Sequence, residues 1–198
     1  MSRSEQKRQT HQRILDAAGR GFRKGGFGGV GVDGLAKEAG VTSGAFYVHF
    51  GSKAAAFRAA VAQGMEGLKD GVHHFQVEYG EHWWPEFVRF YLGAKRRCDL
   101  AESCALQSLA PEVVRSDACV RAAFEVELRE VAEMIAAGPA SHSAPADATA
   151  ALAALGMLAG AVTLARAVES PEMAEQIVAA AERALMPPLD SAATATEP

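Results

Sequence analysis

Asparagine is absent from this chain of 198 residues, and there are only three cysteines, three tyrosines and two tryptophans. Cys98, Cys104 and Cys119 are odd in number and lack C-x-x-C spacing, which excludes a fully paired disulfide framework and a zinc-ligand pattern. Reduced thiols, and with them a cytoplasmic setting, are the expectation. Met1 to Thr10 is polar throughout, without the apolar segment a signal peptide requires. Runs of β-branched residues are also missing while alanine is abundant, so helix is expected nearly everywhere. His73, His74 and His82 complete no metal site: adjacent histidines on a helix face different directions, and no carboxylate–histidine pattern accompanies them. No Ser-His-Asp or paired-carboxylate grouping can be assigned from spacing. The expectation is therefore no catalytic residue, no metal and no cofactor.

What is present begins with a hydrophobic content of 49%, a value typical of globular chains. The length suits one sizeable core or two small ones. Charge is divided unevenly along the chain. Residues 1–58 hold ten Lys/Arg against four Asp/Glu, whereas residues 59–198 hold ten against twenty. A basic front on an acidic body points to a polyanion partner for the first part only.

Periodicity places the elements. Met1–Gln9 reads as a frayed basic arm, followed by a helix carrying Ile14, Leu15, Ala18 and Phe22 on one face. Lys24-Gly25-Gly26 stops it. Gly26-Phe27-Gly28-Gly29-Val30-Gly31 formally matches G-x-G-x-x-G, but a phosphate cradle needs a preceding strand, and the preceding segment is helical. The connector reading is preferred, with Phe27 as its anchor. A long helix from Lys53 to about Tyr79 carries Gly64, Gly67 and Gly71, each weakening it by about 0.8–1 kcal/mol relative to Ala, so bending is expected there. Trp83 to Leu100, Ala105 to Arg115 (broken at Pro111), and Asp117 to about Ala137 follow as helices. Ala148 to Ala165 is 18 residues without a charge and contains Gly156 and Gly160 in a G-x-x-x-G pattern. A membrane span is weighed against a soluble helix buried all round. The soluble reading is preferred because the run is short and mostly alanine. Pro171 opens a last helix that ends at Pro187-Pro188, and residues 189–198 are expected to be a disordered tail.

The organising stretch is Gly40 to Lys53. Val32–Ala39 is a short helix and Gly40 supplies a tight turn. Thr42 can cap a second short helix, Gly51-Ser52 ends it, and Ser52 can cap the next. Two short helices so joined are a helix-turn-helix. Phe46 and Phe50 occupy the inner side of the second helix, so Tyr47 points outward.

The run Ile14-Leu15-Asp16-Ala17-Ala18, Phe22, Gly26-Phe27, Leu35-Ala36, Ala39-Gly40-Val41, Gly44, Phe46-Tyr47, His49-Phe50, Ser52-Lys53 and Phe57 resembles the DNA-binding domain of the TetR (tetracycline-repressor-like) regulators. That resemblance implies an all-α protein of about nine helices. Residues 1–58 would form a helix-turn-helix head and residues 59–188 an effector-binding and dimerising body. It further implies that Tyr47, His49 and Lys53 hold the backbone of double-stranded operator DNA while Thr42, Ser43, Gly44 and Ala45 lie against the bases. The connector departs from the family pattern: Gly31 replaces the usual hydroxyl-bearing cap, and its phosphate contact is lost. The last two helices are expected to pair in a homodimer.

For the body, the resemblance implies a small-molecule effector cavity, with Trp84, Phe87, Tyr91, Phe124, Leu128 and Met157 as lining residues. Ordinary aromatic core is the competing reading. Ser103-Cys104-Ala105-Leu106 and Ala110-Pro111-Glu112-Val113 resemble electrophile-responsive repressors of N-ethylmaleimide reductase within the family. Those place a reactive cysteine where Cys104 stands, at a helix start. A buried inert thiol is the alternative. For the whole chain, the expected function is regulation, with a repressor released from a palindromic operator by an apolar, aromatic or electrophilic effector. The alternatives are a helical-bundle enzyme or small-molecule carrier without DNA binding, and a membrane-associated dimer.

Overall fold

Capping residues set where most of the helices start in the computed structural model, which describes residues 2–188. The first helix, α1 (Arg3–Gly29), begins with a reciprocal box in which Ser2 accepts from the Glu5 amide and the Glu5 carboxylate accepts from the Ser2 amide. The expected frayed arm is thus helical: its polar residues lie on an exposed first turn that the box holds closed. The glycine stop is located correctly, because Gly26 (φ 70°) breaks α1, but one further turn carries the chain to Gly29.

The remaining helices are α2 (Val32–Glu38), α3 (Ser43–Phe50), α4 (Lys53–Tyr79), α5 (Trp83–Phe90), α6 (Ala105–Val114), α7 (Ala118–Ala136), α8 (Ala148–Ala167) and α9 (Pro171–Leu185). Among the described residues there are nine α-helices and no strand, so the chain is all-α. Thr42, Ser52, Asp117, Asp147 and Ser170 each accept an amide from the first turn of the helix they precede. The expected tail at 189–198 lies outside the described residues.

Helices α1, α2 and α3 gather on the front of α4 around Ile14, Ala18, Phe22, Leu35, Phe46 and Phe57, all buried. Phe57 takes Phe22 edge-on at 5.2 Å and Phe27 at 5.3 Å. Each fully buried aromatic contributes about 1.5–3 kcal/mol, so the front helices are tied firmly to the start of the rod. Further along, Lys69 on α4 meets Glu127 and Glu130 of α7 at 3.1 and 2.7 Å, and Glu66 of its own helix at 2.6 Å.

Two expectations about helix ends are corrected. Trp83–Leu100 is not one regular helix: α5 passes into a π-helical segment, Tyr91–Lys95, and a 3-10 turn covers Leu100–Glu102. The guanidinium of Arg166 donates to the carbonyls of Lys95 and Cys98, satisfying acceptors that a regular helix end would leave open. Pro111 does not break α6, which runs to Val114; it deletes one helix hydrogen bond a turn before the end, where the loss is tolerated.

Helix α8 is long and apolar enough to cross a membrane by length and composition. It is not buried all round, as expected, but only on one side. Leu155, Leu158 and Val162 are buried, whereas Leu152, Met157 and Leu164 are exposed, and nothing lies within 4 Å of a Cβ built on Gly156 or Gly160.

Candidate functional site

The front of the molecule presents α3. Phe46 is fully buried, Phe50 is half-buried against the ring of His11 at 4.4 Å, and the opposite side of the helix is exposed. Tyr47 is 50% exposed, and Val48, at 77%, stands further out still. Thr42 uses its hydroxyl to cap Ala45, and Ser43 donates its own to Asp33 of α2, locking the two short helices together. Gly44 is exposed, and a Cβ there would meet only Thr42 Oγ1 at 3.8 Å. Packing of the free protein therefore does not require glycine at this position. Ala45 is half-buried beside it.

His49 and Lys53 flank that ridge. The His49 pKa is lowered, first by partial burial and then by the neighbouring His11 and Lys7, so the imidazole is predominantly neutral near pH 7. Lys53 opens α4 with its ammonium 4.6 Å from the centre of the Phe27 ring. That contact anchors the lysine stem beside the connector. Gly31 caps α2 with no side-chain bond, as expected from the departure in sequence.

A cavity of about 430 Å³ lies behind the front helices. Its walls are Asp16, Arg20 and Arg23 of α1, one face of α4 (Gln63, Gly64, Gly67, Leu68 and Gly71), Phe87 and Phe90 of α5, Tyr91 and Lys95 of the π segment, and Glu102 to Ala105. Phe87, Tyr91 and Cys104 are thus brought together. Trp84, Phe124, Leu128 and Met157 are not, which corrects their placement on a cavity wall. Trp84 is core, its indole N–H donating to the Leu185 carbonyl at 3.2 Å. Phe124 and Leu128 pack part-buried from α7 against the core, and Met157 faces outward from α8. Both tryptophans follow the ordinary-core reading, since Trp83 likewise donates to Pro139 at 2.9 Å.

The expected bend in α4 is replaced by something else. A Cβ on Gly64 would lie 2.3 Å from the Ala105 Cβ, so this glycine lets α6 touch the rod. Gly67 and Gly71 have open space before them and line the cavity. Three- and four-residue spacing of the glycines was the available signal: it puts them on one helix face, a wall feature more than a hinge.

Cys104 stands at the N-cap of α6 and is buried, facing the Tyr91 hydroxyl from the cavity wall. Burial, reinforced by the thiol, pushes the Tyr91 pKa well up, so the phenol stays protonated. From the far end of α6, the Glu112 carboxylate accepts the Phe27 amide at 3.2 Å, immediately after the Gly26 kink. A Cβ on Gly26 would meet that carboxylate at 3.1 Å. One helix thus touches both the cavity and the connector of the front helices, a link that sequence reading missed. Among the described residues no cluster of metal-ligating side chains occurs.

Residues 14–60 match the sequence model of the bacterial regulatory proteins of the tetR family. No curated protein sequence matches the chain significantly. Among solved structures, a TetR-family transcriptional regulator from Agrobacterium tumefaciens superposes with a TM-score of 0.71 at 17% identity, covering 91% of this chain and 99% of that one. The reduced form of E. coli NemR superposes with a TM-score of 0.67 at 19% identity, covering 87% and 94%. The multidrug binding protein EbrR complexed with malachite green gives 0.60 at 23%, covering 89% and 98%. The front helices thus carry the sequence pattern of the tetR family's regulatory proteins over residues 14–60, and the chain as a whole has the fold of solved TetR-family transcriptional regulators.

Proposed function

We propose that the protein is a cytoplasmic homodimeric regulator that binds operator DNA through α3 and is released by a small molecule held in the cavity behind the head. The observation that carries the DNA half is the outer face of α3. Its inner side is locked by Phe46 and Phe50, while Val48 stands exposed and Tyr47, its ring edge-on to Phe46 at 5.8 Å, is half in solvent. An α-helix presented this way fits the major groove. Thr42, Gly44, Ala45 and, through its methylene, Ser43 approach the bases; Tyr47, His49 and Lys53 meet the phosphates. Such small side chains make few bidentate base contacts, so DNA shape supplies part of the specificity. Val48 joins the set as an apolar contact, the kind that meets a thymine methyl.

Two copies are needed to read a palindrome. The uncharged outer stripe of α8, running through Leu152, Gly156, Gly160 and Leu164, together with Met173 on α9, supplies a self-complementary surface for a four-helix contact. Residues 1–58 thus form the reading head and residues 59–188 the effector-binding and dimerising body.

Release runs through α6. A molecule pressing on Cys104 and Ala105 displaces the start of this helix, and Glu112 at its other end carries the shift to Phe27 and the connector. Because Lys53 rests on the Phe27 ring, the same shift disturbs a phosphate contact. The heads then no longer meet both half-sites together, and repression is lifted. The EbrR fold holding malachite green supports a small organic effector in such a body. An electrophile reaching the Cys104 thiol is the covalent form of the same trigger, available only through the cavity because the thiol is otherwise buried.

The test is a salt titration of DNA binding. Lys53→Ala should weaken binding to every sequence and reduce the slope of log K against log salt by about 0.9 for each phosphate contact removed. Tyr47→Ala should weaken binding across sequences as well. Wild-type affinity and slope in both variants would remove α3 from the interface.

A further inference from the structure

Besides Lys95, whose ammonium donates to the Glu102 carbonyl, the cavity wall holds two polar groups with unspent donors. The Tyr91 hydroxyl is on a residue only 2% exposed, and no geometrically complete hydrogen bond is made to it, the Cys104 thiol beside it included. A buried hydroxyl without a partner costs about 1–3 kcal/mol, so a bound oxygen acceptor would recover that loss. The second group is Arg23. Its Nε donates to the Ala101 carbonyl at 2.6 Å, yet none of its nitrogens lies within ion-pair distance of a carboxylate among the described residues. Its neighbour Arg20 is already paired with Glu38 at 2.8 Å.

The acidic side of the wall is in the opposite condition. Asp16 accepts amide protons from Gln12 at 2.8 Å and Gln63 at 2.9 Å. Glu102 keeps a free carboxylate but is exposed at the rim, where an ion pair with a ligand is worth little. What the cavity lacks is therefore an acceptor with negative charge, and not a cation. Phe87, Phe90, the Tyr91 ring and Leu68 give the remaining wall an apolar, aromatic character.

We infer that the cavity takes an amphipathic monoanion, a compact aromatic or alicyclic body bearing one carboxylate, with Arg23 as counter-ion and Tyr91 as hydrogen-bond donor. This rests on the effector reading above and adds the chemical class. It also assigns Arg23 a coupling role: the residue belongs to α1, so the ligand's charged end touches the reading head directly while its body stays against α4 and α5. Competition of the ligand with the Ala101 carbonyl for the guanidinium pulls on the head helix itself.

The experiment is calorimetric titration of the full chain with three probes of one shape: 2-naphthoate, 2-naphthamide and 2-naphthylmethylammonium. The carboxylate should bind at least about tenfold more tightly than the amide, equivalent to about 1.4 kcal/mol, and the ammonium more weakly than either. Arg23→Gln should remove the preference and bring the carboxylate to the level of the amide, whereas Arg23→Lys should keep part of it. Tyr91→Phe should weaken carboxylate and amide alike, because both offer a carbonyl-type oxygen. Gly67→Leu, which fills the cavity from α4, should abolish binding of all three. Amide or ammonium binding as tightly as carboxylate, lost in Gly67→Leu, would overturn the anion class while leaving the effector cavity in place. A carboxylate preference that survives Arg23→Gln would overturn the assigned counter-ion. No binding by any probe, or binding indifferent to Gly67→Leu, would overturn this inference and the cavity reading together.

Discussion

Gly44 separates what the fold needs from what the proposed DNA contact needs. A Cβ there makes only ordinary contact with Thr42, and alanine favours helix by about 0.8–1 kcal/mol over glycine. Gly44→Ala should therefore raise unfolding stability by up to about 1 kcal/mol while weakening DNA binding, a pairing readable by urea denaturation and fluorescence anisotropy. Loss of stability would show that the glycine serves the fold after all. His49 yields a different test. With its pKa lowered in the folded state, the unfolded chain binds the proton first as pH falls below about 6.5. Its contribution is complete above that pH and is lost as pH drops toward the folded value. His49→Gln should flatten the acid side of the stability profile in this window, measured as unfolding midpoint against pH; an unchanged profile would contradict the assigned shift. The outward stance of Tyr47 was legible in the sequence because Phe46 and Phe50 fix which side of a short helix is buried. Val48 was not, since a valine reads as core on any hydrophobicity scale, and only the end of the packing surface leaves it in water.

Three element starts were legible for a simple reason: Thr42, Ser52 and Asp117 carry their capping acceptor in the residue itself, as Asp147 and Ser170 also do in the structure. Ser2 does so too, but a polar arm without apolar periodicity hides its helix. The glycines of α4 were visible and misread, because composition registers their flexibility while only the fold registers what approaches them. Their environments now give opposite expectations. Gly64→Ala places a methyl 2.3 Å from Ala105, and such overpacking costs about 1–3 kcal/mol unless α6 moves. Gly67→Ala faces open space and should stabilise by about 0.8–1 kcal/mol. Thermal unfolding of the two variants side by side checks this; equal effects would mean that α6 does not rest on the rod. The π-helical segment had no sequence signal at all. Non-local bonds hold its end, those of Arg166 and of Arg96, whose side chain reaches Glu175 of α9 at 2.6 Å.

At the scale of the molecule, the candidate cavity was only half legible. Phe87, Tyr91 and Cys104 share it, but its polar wall comes from α1, and helical spacing says nothing about which distant helix closes a pocket. The same limit displaced Trp84 into the core and Met157 to the outer face of α8. That face and the +6 head on a −10 body are the two whole-chain features behind the proposed partners, another copy and a polyanion. The proposed function predicts that α3 of two paired chains enter successive major grooves. Hydroxyl-radical footprinting of the purified protein, on a duplex selected from a random-sequence pool, measures this most directly. Two protected patches related by a dyad, their centres one helical turn or a whole multiple of about 10–10.5 base pairs apart, are the predicted result. A single patch without a dyad, or protection that persists unchanged when Tyr47 and Lys53 are replaced by alanine, would contradict it.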